Sequence, residues 1–214
     1  MKNKPLIMIG GGGHASVLVD ILRSQNRDIL AVVTPTEVEN IIFSGIKHIP
    51  DDSDVLIYSP DNVLLVNGIG MMPNSYTRKK VNEYYLSLGF KFESVISNSA
   101  IVSAYAEISS GVQILHGAVI QTGAKVGSHS IINSRVVIEH DTEVGTYNHI
   151  APGAVLCGSV KTSENVFVGA GATVIQNVVL HDGVFIAAGA TVTRSLSQNS
   201  ICYPGRATII KGVP

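Results

Sequence analysis

The chain has 214 residues and a formal net charge of −1, with 45% apolar and only 14% charged residues, against a usual charged share of about 25%. That composition excludes a disordered chain and removes the broad electrostatic case for nucleic-acid binding. No run approaches the ~18 apolar residues of a membrane span. Cys157 and Cys202 form neither a CxxC pair nor a disulfide framework, so a cytosolic protein of one or two domains is expected.

Taken in chain order, Leu6-Ile7-Met8-Ile9 reads as a short buried strand. Four glycines, Gly10 to Gly13, cut the apolar stretch too short for a signal peptide. His14 and Ala15 follow, and Val17, Leu18, Ile21 and Leu22 recur at helical spacing up to Asn26. Ile29-Leu30-Ala31-Val32-Val33 is a second strand. Strand, glycine turn, helix and strand open a βαβ unit. Such a turn lets backbone approach a phosphate at the free N–H groups of a helix start. Gly10, Gly12 and Ala15 fit a GxGxxG/A fingerprint, but the second strand ends in Thr34-Pro35, with no acid for a ribose. A tight turn without a ligand stays open beside this reading.

Val55-Leu56-Ile57-Tyr58 and Leu64-Leu65-Val66-Asn67 read as further strands, and Gly68-Ile69-Gly70 as a second glycine turn. Pro73 is placed to open a helix containing Val81, Tyr84, Tyr85 and Leu88 and ending at Gly89. Arg78-Lys79-Lys80 on it read as a solvated face. Residues 1–93 hold 19 charged side chains and residues 94–214 hold 12. The shift divides the chain into 1–93 and 94–214. No Pro/Ser-rich linker lies between, so the two parts are expected to abut.

The second part is a repeat. Stepping by six from Ile96 to Val192, sixteen of seventeen positions are aliphatic, with Thr162 as the exception. Four residues after each lies a second column, from Ala100 to Leu196, mostly small or β-branched. Neither a 3.6-residue helix nor an alternating strand keeps a period of six. The pattern is a hexapeptide repeat and predicts a left-handed parallel β-helix of five to six triangular coils, each 18 residues long. The aliphatic column points inward, and stacking is obligatory because one coil cannot bury its apolar face.

The phase sorts the histidines: His116, His129, His140, His149 and His181 all fall outside the inward columns, so none is expected to be buried. A bare surface histidine is the ordinary account of each. His140 stands out because Glu139 and Asp141 flank it, and a carboxylate can orient an imidazole and stabilise its charged form. One coil later lies Gly158, whose backbone N–H could stabilise an oxyanion. Base plus oxyanion donor suits acyl transfer. A metal site from His116, His129, His140 and His149 would need an oligomer to converge them. Cys157 offers a thiol beside Gly158, although a small residue at an ordinary repeat position accounts for it equally.

The chain resembles the sialic-acid O-acetyltransferase / bacillosamine N-acetyltransferase family of hexapeptide transferases. The resemblance rests on Gly12-Gly13-His14-Ala15, Val66-Asn67-Gly68-Ile69-Gly70, Ile138-Glu139-His140-Asp141, His149-Ile150-Ala151-Pro152-Gly153-Ala154 and Val168-Gly169-Ala170-Gly171-Ala172, in the family's order. It implies a Rossmann-like α/β domain before the β-helix. It also implies a homotrimer with active sites between subunits, acetyl-CoA as co-substrate and no metal. His140 is then the general base, tuned by Asp141. Gly158 holds the oxyanion, and Asn133 lies near the acceptor. His149, Ala170 and Ala188 contact acetyl-CoA, while Gly12, Gly13, His14, Thr34 and Gly70 surround the nucleotide sugar. The sequence departs from the family pattern in three places. Thr34-Pro35 stand where UDP-sugar members carry acids, Ser97-Asn98 replace His-Pro, and Tyr203-Pro204-Gly205-Arg206 replace Gly-x-Pro-Ala. The first reading is N-acetylation of a nucleotide-linked, expectedly UDP-linked, 4-amino-4,6-dideoxy sugar for a bacterial surface glycan. O-acetylation of a sialic-acid-like sugar, a non-catalytic trimeric scaffold and a carbonic-anhydrase-like metal enzyme are the alternatives.

Overall fold

Four apolar side chains in a row, all buried, make Leu6–Ile9 the central strand β1 of a parallel sheet. The computed structural model describes residues 4–73 and 75–205, so Arg206 lies outside the described residues. Gly10, at φ +95°, leads from β1 into helix α1, Gly13–Ser24. Strand β2, Ile29–Val33, pairs with β1 on one side, and β4, Leu64–Asn67, on the other. A strand the sequence reading missed, β3 at Lys47–Ile49, extends the sheet to the order β3-β2-β1-β4. Leu18, Ile21 and Leu22 of α1 pack with Leu6 and Met8 on one face; Ile7, Ile9, Tyr85 and Phe90 close the other.

Two elements differ from expectation. Residues 55–57 belong to a 3₁₀ helix, Asp52–Ile57, rather than a strand. Asp51 caps it by accepting from the Ser53 amide, acids sit in its first turn, and Leu56 and Ile57 are exposed, so no alternating face is buried. Helix α2 runs over Thr77–Ser87, starting four residues after Pro73.

From Val95 onward the chain winds through two-residue strands in three parallel sheets of seven, six and five strands. Partners such as Ile132 and Ile150, or Ile138 and Leu156, lie 18 residues apart, as the repeat predicts. This is the left-handed parallel β-helix of a hexapeptide repeat. Its interior is the two predicted columns, with Ile114, Ile138, Leu156 and Ile186 fully buried. Interior polar residues pair with one another. The Asn148 amide donates to Thr162 Oγ1 (2.6 Å), and the Ser130 hydroxyl donates to the Gly145 carbonyl (2.7 Å), so none is left unmade at the cost of burial.

The phase does slip once. Leu196, placed in the second column by the sequence, pairs with Leu180 of the aliphatic column, and Ile201 pairs with Phe185 sixteen residues earlier. The last coil is two residues short. A third column also emerges. From Ile108 to Ile186 the third residue after each column position takes a left-handed conformation at the corner, filled by Gly111, Gly117, Gly123, Gly153, Gly171, Gly183 and Gly189, by Asn165 and Asn177, and less ordinarily by His129, Arg135, Asp141, Tyr147 and Ser159.

Candidate active site

Two clusters of chemistry-bearing side chains form, on different parts of the prism. The first is a corner of the β-helix. Asp141 occupies the left-handed turn position at φ +58°. This aims its carboxylate back at the preceding residue, and His140 Nδ1 lies 2.9 Å from Asp141 Oδ2. The carboxylate can only accept, so Nδ1 carries the proton and Nε2 of the neutral ring is left with its lone pair. Gly123, one coil earlier, leaves room for the carboxylate: a Cβ there would fall 2.5 Å from Asp141 Oδ1. Gly158, one coil later, lies against the ring, where a Cβ would fall 2.7 Å from Nε2. The amide of Gly158 donates to no backbone carbonyl among the described residues. His140 and Asp141 are both more than half exposed. The corner therefore presents an oriented base and a free N–H side by side, open to solvent.

The second cluster lies where the α/β domain covers one sheet of the β-helix. Gly12 caps α1 with no side-chain cap, and Gly12 and Gly13 have open space above their backbones. Gly70 lies beside His14, 3.5 Å between its would-be Cβ and the His14 Cβ. Thr34 packs against Gly11 at the end of β2. His14 Nε2 meets Gln113 Oε1 at 2.7 Å, and the Gln113 amide donates to the Asn67 carbonyl at 2.7 Å. The Gln113 oxygen accepts, so His14 donates through Nε2 and keeps Nδ1 unprotonated.

His149 and Asn133 belong to this second cluster. His149 donates through Nδ1 to the Met71 carbonyl (3.0 Å), and its Nε2 accepts from Asn133 Nδ2 (3.1 Å). Asn133 is thus joined to His149, and within one chain not to His140. Ala170 and Ala188 stack one coil apart, exposed, at a corner separate from that of His140. The expectation that no repeat histidine is buried fails for two of the five. His149 is covered by Met71 and packs edge-on to Phe167, while His129 stacks on Tyr147 with ring centres 5.0 Å apart. Both point outward from the prism, as the phase requires, but the α/β domain sits on that outward face. Burial, and then the Arg78 guanidinium, pull His14 and His129 down to about 4; burial first also pulls His149 down to about 4.

Arg78, read as part of a solvated run, is the residue sequence reasoning missed. It is 3% exposed and, among the described residues, has no carboxylate partner. Its Nη1 donates to the carbonyls of Asn67 (2.9 Å) and Ile69 (2.7 Å), its Nε points at the His129 carbonyl, and burial brings it down to about 9. It pins the second glycine turn to the β-helix. Lys79, beside it, bonds Glu164 at 2.5 Å, and among the described residues Lys80 has no such partner. Among the described residues no group of three His, Cys, Asp or Glu side chains is placed to hold a metal, and no helix is long and apolar enough to cross a membrane.

These features define a class: an α/β domain that matches the PglD N-terminal domain over residues 5–85, followed by bacterial transferase hexapeptide repeats matched over 123–158 and 159–194. The resemblance drawn from the sequence holds at this level. Among solved structures the chain is similar to a variant of perosamine N-acetyltransferase from Caulobacter crescentus in complex with CoA and GDP-perosamine, at 28% identity, TM-score 0.85, and 98% and 97% coverage of the two chains. It is similar to the acetyltransferase domain of PglB from Neisseria gonorrhoeae in complex with acetyl coenzyme A, at 25% identity, TM-score 0.85, and 94% and 96% coverage. WeeI from Acinetobacter baumannii, at 19% identity and TM-score 0.78 over 95% of both chains, shares the fold. A comparison with curated proteins finds no match.

Proposed function

We propose that the protein is an acetyl-CoA-dependent N-acetyltransferase acting on a nucleotide-linked amino sugar, as the Caulobacter and Neisseria relatives suggest. The observation that carries the reading is the His140 corner, with Nδ1 tied to Asp141, Nε2 free and the Gly158 amide against it. A sugar amine attacks the thioester carbonyl and forms the C–N bond. His140 Nε2 takes the proton the amine loses. The Gly158 N–H faces the oxygen that becomes negative. Collapse breaks the C–S bond, and the proton held by His140 passes to the leaving sulfur. Ala170 and Ala188, small and exposed, leave backbone open to an extended amide-bearing arm, which fits pantetheine.

The nucleotide diphosphate is assigned to the uncapped start of α1, at Gly12, Gly13 and His14, with Thr34 and Gly70 beside it. That cluster and the His140 corner are apart within one chain, which supports a homotrimer in which one copy supplies the base and another the His149–Asn133 face. The reaction suits the cytoplasm, where acetyl-CoA and activated sugars are made. The test is release of CoA thiol with UDP-, dTDP- and GDP-linked 4-amino sugars beside free sialic acid. Turnover on a nucleotide amino sugar, abolished in His140→Asn, is the expected result. Turnover on sialic acid alone moves the protein to O-acetylation. No turnover on any acceptor, in a variant and parent that behave alike, points to a scaffold.

A further inference from the structure

A cavity of about 220 Å³ opens at Gly10, the head of the glycine turn, over the carboxyl ends of the strands. Open α/β sheets bind ligands at that edge. Its lining is mostly apolar, with Ile9, Val33, Pro35, Pro50, Ile69 and Val81 beside Thr34. One carboxylate, that of the exposed residue Asp52, stands at this lining. An apolar cavity of that size suits a nucleobase ring, and the adjoining glycine turn supplies the place for the phosphates.

The Asp52 carboxylate is held in position. The Tyr85 hydroxyl donates to Asp52 Oδ1 at 2.6 Å, and the Tyr85 ring is fully buried. Burial and the neighbouring carboxylate push the Tyr85 hydroxyl well up, so it stays a donor. Oδ2, and the second lone pair of Oδ1, remain to accept. A fixed carboxylate at an apolar cavity selects for a base edge with two adjacent donors. Guanine has that edge, in N1–H and the N2 amino group. Uracil and thymine offer one N–H between two carbonyl oxygens, which repel the second carboxylate oxygen. Adenine and cytosine place an acceptor beside their amino group.

We infer that this cavity is the base pocket and that Asp52 reads guanine, which makes the substrate a GDP-linked sugar. The inference rests on the assignment of the diphosphate to the start of α1. It departs from the expected uridine nucleotide, for which Thr34-Pro35 leave no acid at the end of β2.

Calorimetric titration of the full chain with GDP, IDP, UDP, dTDP and ADP tests it. IDP is guanosine diphosphate without the N2 amino group. Hydrogen bonds to a charged group carry tenfold or more in affinity, so GDP is expected to bind at least tenfold tighter than each of the others. Asp52→Asn should lose at least tenfold for GDP and bring GDP and IDP level, with UDP unchanged. Tyr85→Phe, which keeps the buried ring, should lose a smaller factor for GDP alone. Tightest binding of UDP or dTDP, or a GDP affinity that Asp52→Asn leaves intact, overturns the guanine assignment; acetyl transfer to a nucleotide amino sugar would still stand. Failure of every nucleotide to bind overturns the diphosphate assignment with it.

Discussion

The open corner of the β-helix and the seam between the two domains put histidines to opposite uses. His140 stands at a corner of the β-helix in water, oriented by one carboxylate and backed by one glycine. His14, His129 and His149 lie where the α/β domain meets the β-helix, out of water and near a buried guanidinium. The histidine proposed as base keeps access to solvent. Groups that build a wall are kept neutral by burial. Sequence phase alone set the first arrangement; contact between two domains set the second.

The sharpest way to break that contrast is at the exposed histidine. Replacing His140 by Asn keeps volume and polarity but removes the base, and should lower kcat by ~10²–10⁴ with little change in melting temperature. The same substitution at His149 should instead move stability, because its ring bonds both Met71 and Asn133. If His140→Asn keeps full turnover, the corner is not the site of proton transfer.

The β-helix interior comes next. Ile138 is fully buried two residues before His140, and Ile138→Ala should cost about 2–5 kcal/mol in a denaturant titration. A loss under ~1 kcal/mol would contradict the inward column.

Acid should separate the two regions. The three buried histidines are held at about 4 in the folded protein, against an ordinary value of 6.5. Between those values the unfolded chain binds more protons than the folded one, so stability rises with pH there. It is complete above about pH 6.5 and drains away as pH falls towards 4, by on the order of 1–2 kcal/mol per histidine near pH 5. Substituting His129 by Gln should flatten part of this slope. A stability curve level from pH 7 to 4.5 would mean the domain interface is wetter than the structure shows.

What could be read in advance follows the same division. A repeat makes each coil bury the same columns, so Ile138, Leu156 and their kin were visible from spacing, as was the stacking of Gly158 on His140. The left-handed corner column was equally visible, in Gly117, Gly123 and Gly153, and would have drawn notice to Asp141 and Tyr147 as side chains in glycine positions. The interface was not visible. His14 meets Gln113 across 99 residues of sequence, and nothing local distinguishes Arg78 from the lysines after it. A guanidinium bonded to backbone carbonyls is fixed by where the second glycine turn meets a β-helix corner, which no local pattern encodes.

The smallest effect probes the seam between the two regions. Lys79 bonds Glu164 of the β-helix at 2.5 Å and sits 5.5 Å above the Tyr147 ring, with its side chain 27% exposed. Exposed ion pairs contribute little, because water screens them and ordering two long side chains costs entropy. Lys79→Met keeps the apolar stem against Tyr147 and removes only the charge. It should cost about 0.2–1 kcal/mol, fading in high salt. Arg78→Met, one residue earlier, removes the donor to two buried carbonyls and should cost more, about 1–3 kcal/mol, with no salt dependence. Equal losses at the two positions would mean that the seam is held by surface charge rather than by the buried guanidinium.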